Sequence, residues 1–106
     1  SVATVTTNVE TDIVTLLMLQ GRYLIEATAR FTLPKQSQCE IHVASSDGKN
    51  SVASIIQTLP QGIQWLKNTG ALKITGSISK QVCLRVRQDS GSAIACIGYL
   101  KAIRIN

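Results

Sequence analysis

The chain has 106 residues, enough to build one hydrophobic core without a disulfide or metal staple. Only 16% of it is charged, against about 25% in an ordinary globular protein, so its polar surface relies on Ser, Thr, Gln and Asn. The net charge is +5, but the eleven Lys and Arg form no basic run and do not alternate with aromatics, which argues against nucleic acid as the partner.

In chain order, Val2 to Thr7 predicts a short first strand, with Ser1 to Thr7 also the only candidate linker, and Asn8 to Asp12 a polar turn. Ile13 to Leu19 is apolar on both faces apart from Thr15, a pattern that needs cover on each side. Gly21 opens the clearest element. Tyr23, Ile25, Ala27, Ala29 and Phe31 share one side of a strand, while Leu24, Glu26, Thr28 and Arg30 share the other. This strand runs to Leu33, before Pro34, which cannot donate to a ladder. Pro34 to Gln38 reads as a loop and Cys39 to Ala44 as the next strand. Ser46-Asp47-Gly48-Lys49-Asn50 is a hairpin signal, and Ser51 to Thr58 returns. Val52, Ile55, Ile56 and Leu59 also sit at helical spacing, an alternative that Pro60 and the β-branched residues oppose.

Gly62 to Leu66 predicts a further strand, closed by Asn68-Thr69-Gly70, with Ala71 to Ser79 after it. In Gln81 to Arg87 the residues Val82, Leu84 and Val86 point inward and Cys83, Arg85 and Arg87 outward. Gln88 to Ser92 turns into a long last strand, Ala93 to Ile105. Roughly eight to ten strands with turn signals at about ten-residue intervals predict an all-β antiparallel sandwich or jelly roll in a single domain, residues 1–106.

Chemistry-bearing residues are sparse. His42 is the only histidine and lies mid-strand, the carboxylates form no motif, and no phosphate-cradling glycine pattern occurs. The expectation is no enzyme, no cofactor and no metal. The cysteines are Cys39, Cys83 and Cys96, an odd count without a CxxC spacing. Cys39 reads as a core residue. Pairing of Cys83 with Cys96 stays open beside free thiols. No signal peptide and no apolar run long enough to span a membrane is present. Binding is expected on loops displayed by a rigid sandwich, with Lys35, Asp47, Lys49, Asn50, Asn68 and Gln88 as ligand-binding candidates. Trp65 shares a face with Ile63 and reads as core or interface rather than a sugar platform.

A two-sheet sandwich buries one face of each strand, yet Ile13–Leu19 and Ile94–Leu100 are apolar on both. A subunit interface is the economical cover. Leu16, Met18, Glu26, Arg30, Arg85 and Tyr99 are the expected interface residues. Gly21-Arg22-Tyr23-Leu24-Ile25-Glu26-Ala27, with an apolar strand before it, resembles the Gly-x-Tyr strand of the tumour-necrosis-factor and complement-globular-head jelly rolls. It also resembles the C-terminal heads of phage tail fibres and spikes. The last hairpin, with Gly98-Tyr99-Leu100-Lys101-Ala102-Ile103-Arg104-Ile105, is similar to the closure of those heads. The match covers Ile13–Phe31 and Gln81–Ile105. The low aromatic content, 4%, favours the phage group.

The resemblance implies a homotrimeric, virion-borne viral protein that attaches to the host cell through a surface receptor, with a glycan or lipopolysaccharide as the candidate. It would be the C-terminal piece of a longer protein, consistent with a chain opening on Ser1. The alternatives are a trimerisation or structural cap of a fibrous protein, and a secreted tumour-necrosis-factor-like or lectin-like binding domain.

Overall fold

The computed structural model describes residues 2–76 and 79–105. Ser1, Asn106, and Ser77 and Ile78 of the expected Ala71–Ser79 strand lie outside the described residues. The strands are β1 (Val2–Val5), β2 (Thr11–Met18), β3 (Gly21–Leu33), β4 (Ser37–Ser45), β5 (Ser51–Leu59), β6 (Gly62–Ile74), β7 (Lys80–Gln88) and β8 (Ile94–Arg104). They form two four-stranded antiparallel sheets, β1-β8-β3-β6 and β2-β7-β4-β5, packed as a β-sandwich. The pairing is nested: first strand with last, second with seventh, third with sixth, fourth with fifth.

The opening alternation explains the central strand. Ile25, Ala27, Ala29 and Phe31 of β3 are almost fully buried, with Tyr23 beside them, and the intervening side chains stay on the outer face. β3 pairs with β6 along all thirteen of its residues and with β8 from Tyr23 to Phe31. Across the gap, Ile41 and Val43 of β4 and Val82, Leu84 and Val86 of β7 complete the core. Each such aliphatic side chain removed from water contributes about 1.5–3 kcal/mol before entropy is set against it.

Four expectations are corrected. Over its described residues the expected Ser1–Thr7 linker is no linker, because Val2–Val5 pairs in register with Ile94–Ile97. Val52–Ile63 is no helix: Pro60 and Gln61 separate β5 from β6. The Pro34–Gln38 loop ends early, and β4 already begins at Ser37. Asn68-Thr69-Gly70 does not close a strand; β6 runs straight through it. Asn68 instead donates its side-chain amide to the Ala53 carbonyl at 2.6 Å, tying β6 to β5 of the other sheet. Gly70 pairs with Ile25, and a Cβ there would run into the Val52 side chain. Its missing side chain allows close approach, not a turn.

The opposite seam uses the same device. A Cβ on Gly98 of β8 would lie 2.5 Å from Ile13 Cδ1. Both sheet edges therefore close onto each other where one strand carries a glycine.

Gly70→Ala is expected to cost about 1–3 kcal/mol through overpacking. Combining it with Val52→Ala in denaturant unfolding should recover part of that loss. A strictly additive double-mutant cycle would show that the two positions do not press on each other.

Candidate interaction face and loop ends

Alternation along β3, β6 and β8 assembles the outer face of the first sheet. Thr28 lies between Lys67 and Tyr99 in the register, and Arg30 between Trp65 and Ile97. The Trp65 and Tyr99 rings stack with centroids 6.2 Å apart and planes at 24°, inside the 4.5–7 Å range in which aromatic pairs attract. The Arg30 guanidinium lies 5.9 Å from the Trp65 centroid, a cation–π contact worth about 0.5–1 kcal/mol at an exposed site. Its Nε is buried without a hydrogen-bond partner among the described residues, so the ring contact and neighbouring strands hold this side chain.

Both aromatic rings remain about half exposed, at 53% for Trp65 and 55% for Tyr99. Val2, Leu24, Ile63, Ile103 and Ile105 are exposed on the same face. Together they make an apolar area left uncovered among the described residues. Arg22, Lys67, Lys73 and Lys101 join Arg30 there, and Glu26 is the face's only carboxylate among the described residues. An open groove of about 490 Å³ runs over it, lined by Glu26, Thr28, Lys67, Gly98, Tyr99, Leu100 and Lys101. Cations scattered in sequence thus share a face with the stacked rings because a strand returns to one side every second residue.

The six expected interface residues do not stay together. Glu26, Arg30 and Tyr99 lie on this face. Leu16 and Met18 turn into the sandwich: a register shift between Asp12 and Val14 brings Val14, Leu16 and Met18 opposite Leu84, Val82 and Lys80. Met18 is 4% exposed and offers no surface to a partner; Leu17 and Leu19 carry the exposed apolar side chains instead. Arg85 is on the other sheet, and its Nε donates to Asp12 Oδ1 at 2.7 Å. That carboxylate holds the guanidinium's pKa above its ordinary value. Arg85 is thus paired within its own chain.

The expected ligand-binding residues are divided as well. Lys35 and Gln88 belong to one end of the sandwich, and Asp47, Lys49 and Asn50 to the loop between β4 and β5 at the other. The molecule is 44 Å long, so these two groups cannot surround one small ligand. Asn68 is mid-strand, buried and spent on Ala53.

Gln88 is 1% exposed and acts as a structural hub. Its Nε2 donates to the carbonyls of Val5 at 3.0 Å and Ser92 at 2.8 Å. Its Oε1 accepts from the Ser90 amide at 2.7 Å, and its own carbonyl accepts from the Asn8 amide at 2.7 Å. The Gly91 amide donates to Thr7 Oγ1 at 3.0 Å. The turn after β1 and the turn after β7 are thereby locked together. The sequence offers Gln88 as a loop ligand-binding candidate and gives no sign of this structural role, since its partners Val5 and Asn8 lie far along the chain.

At the opposite end, Asp47 organises its own turn. Its Oδ1 accepts from Ser45 Oγ at 2.6 Å and from the Lys49 amide at 3.0 Å, and its Oδ2 lies 3.2 Å from Lys80 Nζ. The Ser45 hydroxyl, the Lys49 amide and Lys80 hold its carboxyl well below the usual carboxylate range.

The three cysteines are free and buried. Cys83 is on the outer side of β7 but is covered, with Thr15 Oγ1 3.5 Å from its sulfur. Cys96 faces the core, so the two do not pair. Burial, with Asp89 nearby, pushes the Cys39 thiol up to about 11, and burial, with Cys39 nearby, pushes Cys96 to about 12. Neither is a thiolate at neutral pH, so neither is a nucleophile. No cluster of His, Cys, Asp and Glu among the described residues could hold a metal ion, and no described helix could cross a membrane.

Gln88→Ala is expected to cost about 2–3 kcal/mol, because the buried amide and carbonyl groups around it lose their partners. Amide exchange at Ser90 should quicken in the same variant. For Asp47, a depressed folded pKa gives stability that is complete above the unfolded value, near pH 4, and is lost as pH falls through the folded one. The gap in melting temperature between wild type and Asp47→Asn should be widest above about pH 5 and shrink in acid; a gap independent of pH would contradict this. No protein-family model and no curated protein sequence matches this chain.

Proposed function

We propose that this chain is a trimeric jelly-roll head domain of a phage tail fibre or spike, which binds a receptor on the host-cell surface. The nested pairing of first strand with last through fourth with fifth supports the jelly-roll reading, since that order follows when a long antiparallel ribbon is rolled into two sheets. The Gly21–Ala27 strand and the Gly98–Ile105 closure, which carried the resemblance, both belong to the sheet with the exposed aromatic face.

The observation that carries the reading is that face. Trp65, Tyr99, Ile63 and Ile103 lie on a regular sheet surface that none of the described residues covers. In a closed ring of three copies it would be buried, and the contact would set three sets of end loops side by side. Three weak contacts to a repeated glycan or lipopolysaccharide then add through avidity. The loops tied by Gln88 supply a rigid display surface with Lys35 at its margin.

The division of the expected ligand residues between the two ends favours a second reading, a trimerisation cap with no receptor of its own. The first reading would put the protein on the virion; a secreted tumour-necrosis-factor-like or lectin-like binding domain is the remaining alternative. Removing the domain from its parent fibre separates the first two. Lost trimers identify a cap, and intact trimers that no longer adsorb identify an adhesin.

Sedimentation at micromolar concentration should give three times the 11.4 kDa chain mass. Replacing Trp65 and Tyr99 together by Ser should yield folded monomers with an unchanged β circular-dichroism spectrum. A wild-type monomer would rule the trimer out.

A further inference from the structure

The outer face of the second sheet carries a small cavity at the end where Gln88 ties the turns together. It measures about 140 Å³ and is lined by Gln38, Glu40, Ile56, Arg87, Gln88 and Asp89. The register explains its make-up. Glu40 stands opposite Ile56 on one side and Arg87 on the other, so these three form one row across β5, β4 and β7. Gln38 lies two residues back along β4, on the same face. Its backbone amide donates to Asp89 Oδ1 at 2.7 Å. Gln88 is part of the lining, but its side chain is spent on Val5, Ser90 and Ser92.

Two features set this cavity apart. Glu40 and Arg87 face each other on neighbouring strands, where opposite charges attract, yet no ion pair joins them among the described residues. Arg85, two residues back along β7, is by contrast closed on Asp12. A carboxylate and a guanidinium thus border one cavity without satisfying each other, and Ile56, 54% exposed, adds an apolar wall. The second feature is rigidity. Each polar group is on a regular strand or, for Asp89, fastened to one, so the arrangement exists before anything binds. The charges then select the ligand. Glu40 and Asp89 outweigh Arg87, so an anion meets net repulsion. A neutral vicinal diol suits both kinds of group, since one hydroxyl donates to a carboxylate while its neighbour accepts from the guanidinium. The volume lies below the roughly 300–1,000 Å³ of pockets for drug-sized molecules, which fits the edge of one ring.

We propose that this cavity binds one neutral hexopyranose, the terminal unit of a glycan. Glu40 and Asp89 accept from its hydroxyls, Arg87 donates to them, and Ile56 packs against the C–H face of the ring. The proposal rests on the receptor reading for the source of the sugar and narrows it, because a phosphate or a uronate is disfavoured here. The cavity is on the sheet opposite Trp65 and Tyr99, so a trimer closed through their face would leave it open.

The test titrates the full chain with the methyl glycosides of glucose, mannose and galactose and with the matching methyl uronides, followed by amide chemical shifts. At least one neutral glycoside should bind with a Kd of about 1–10 mM and shift the amides of Gln38, Glu40, Arg87 and Asp89. Its uronide should bind about tenfold more weakly. Arg87→Ala should weaken the neutral sugar about tenfold; Arg87 is exposed, so this variant keeps its fold. Glu40→Gln should weaken the neutral sugar about fivefold and narrow the gap to the uronide. The proposal is overturned by an absence of binding at about 50 mM glycoside, by shifts confined to Trp65 and Tyr99, or by a preference for the uronide. The receptor reading fails separately. A fibre that still adsorbs after losing the domain overturns that reading and not the sugar site, whereas a fibre that needs the domain while the chain binds no sugar overturns the site and not the reading.

Discussion

The closeness of the two sheets at their margins governs the rest of this molecule. A sandwich with a gap near 10 Å must fill it with side chains from both inner faces. Here the central strand places Ala27 and Ala29 in that gap between Ile25 and Phe31, so its middle contributes only small side chains. The margins then crowd, and each is relieved by one glycine: Gly70 beneath Val52 and Gly98 beneath Ile13. Small residues in the centre and missing side chains at the edges are one geometric solution.

That solution also decides what is left outside. With the inner faces filled by aliphatic and small residues, the large aromatic groups of β6 and β8 lie on the outer face, where Trp65 and Tyr99 stack over the strands. Arg30 reaches the same surface from β3. A chain with so few charges places five cations and an aromatic pair on one side. The other sheet instead carries the internally paired Arg85 and Asp12. The two sheets thus present unlike outer faces, one cationic and aromatic, the other carrying an internal ion pair.

Much of the architecture was legible because it depends on local pattern. The alternation of Tyr23 to Phe31, the outward and inward sets of β7 and the Asp-Gly turn after β4 each reflect a preference confined to a few residues. What was not legible depends on partners distant in sequence. Asn68-Thr69-Gly70 carries turn residues, yet its glycine answers to Val52 and its asparagine to Ala53. The facing of β2 is set by the register shift after Asp12, which alternation alone cannot reveal, so Leu16 and Met18 went to the wrong side. Gln88 gathers Val5, Asn8, Ser90 and Ser92 through hydrogen bonds, and a lone glutamine advertises none of that. The binding candidates chosen from loop composition divided between two ends, because composition marks a loop but not the end it occupies.

The nested pairing has a consequence for synthesis. Val5 pairs with Ile94 of the last strand, so the first strand waits for the last. At about 5–20 residues per second the ribosome leaves β1 without its partner for roughly 5–20 s. β4 and β5 meet almost as soon as they are made. The molecule therefore closes from its middle outward in time as well as in space. Its first strand is the last to be secured, and for those seconds the nascent chain is open to exchange with its neighbours on the same message.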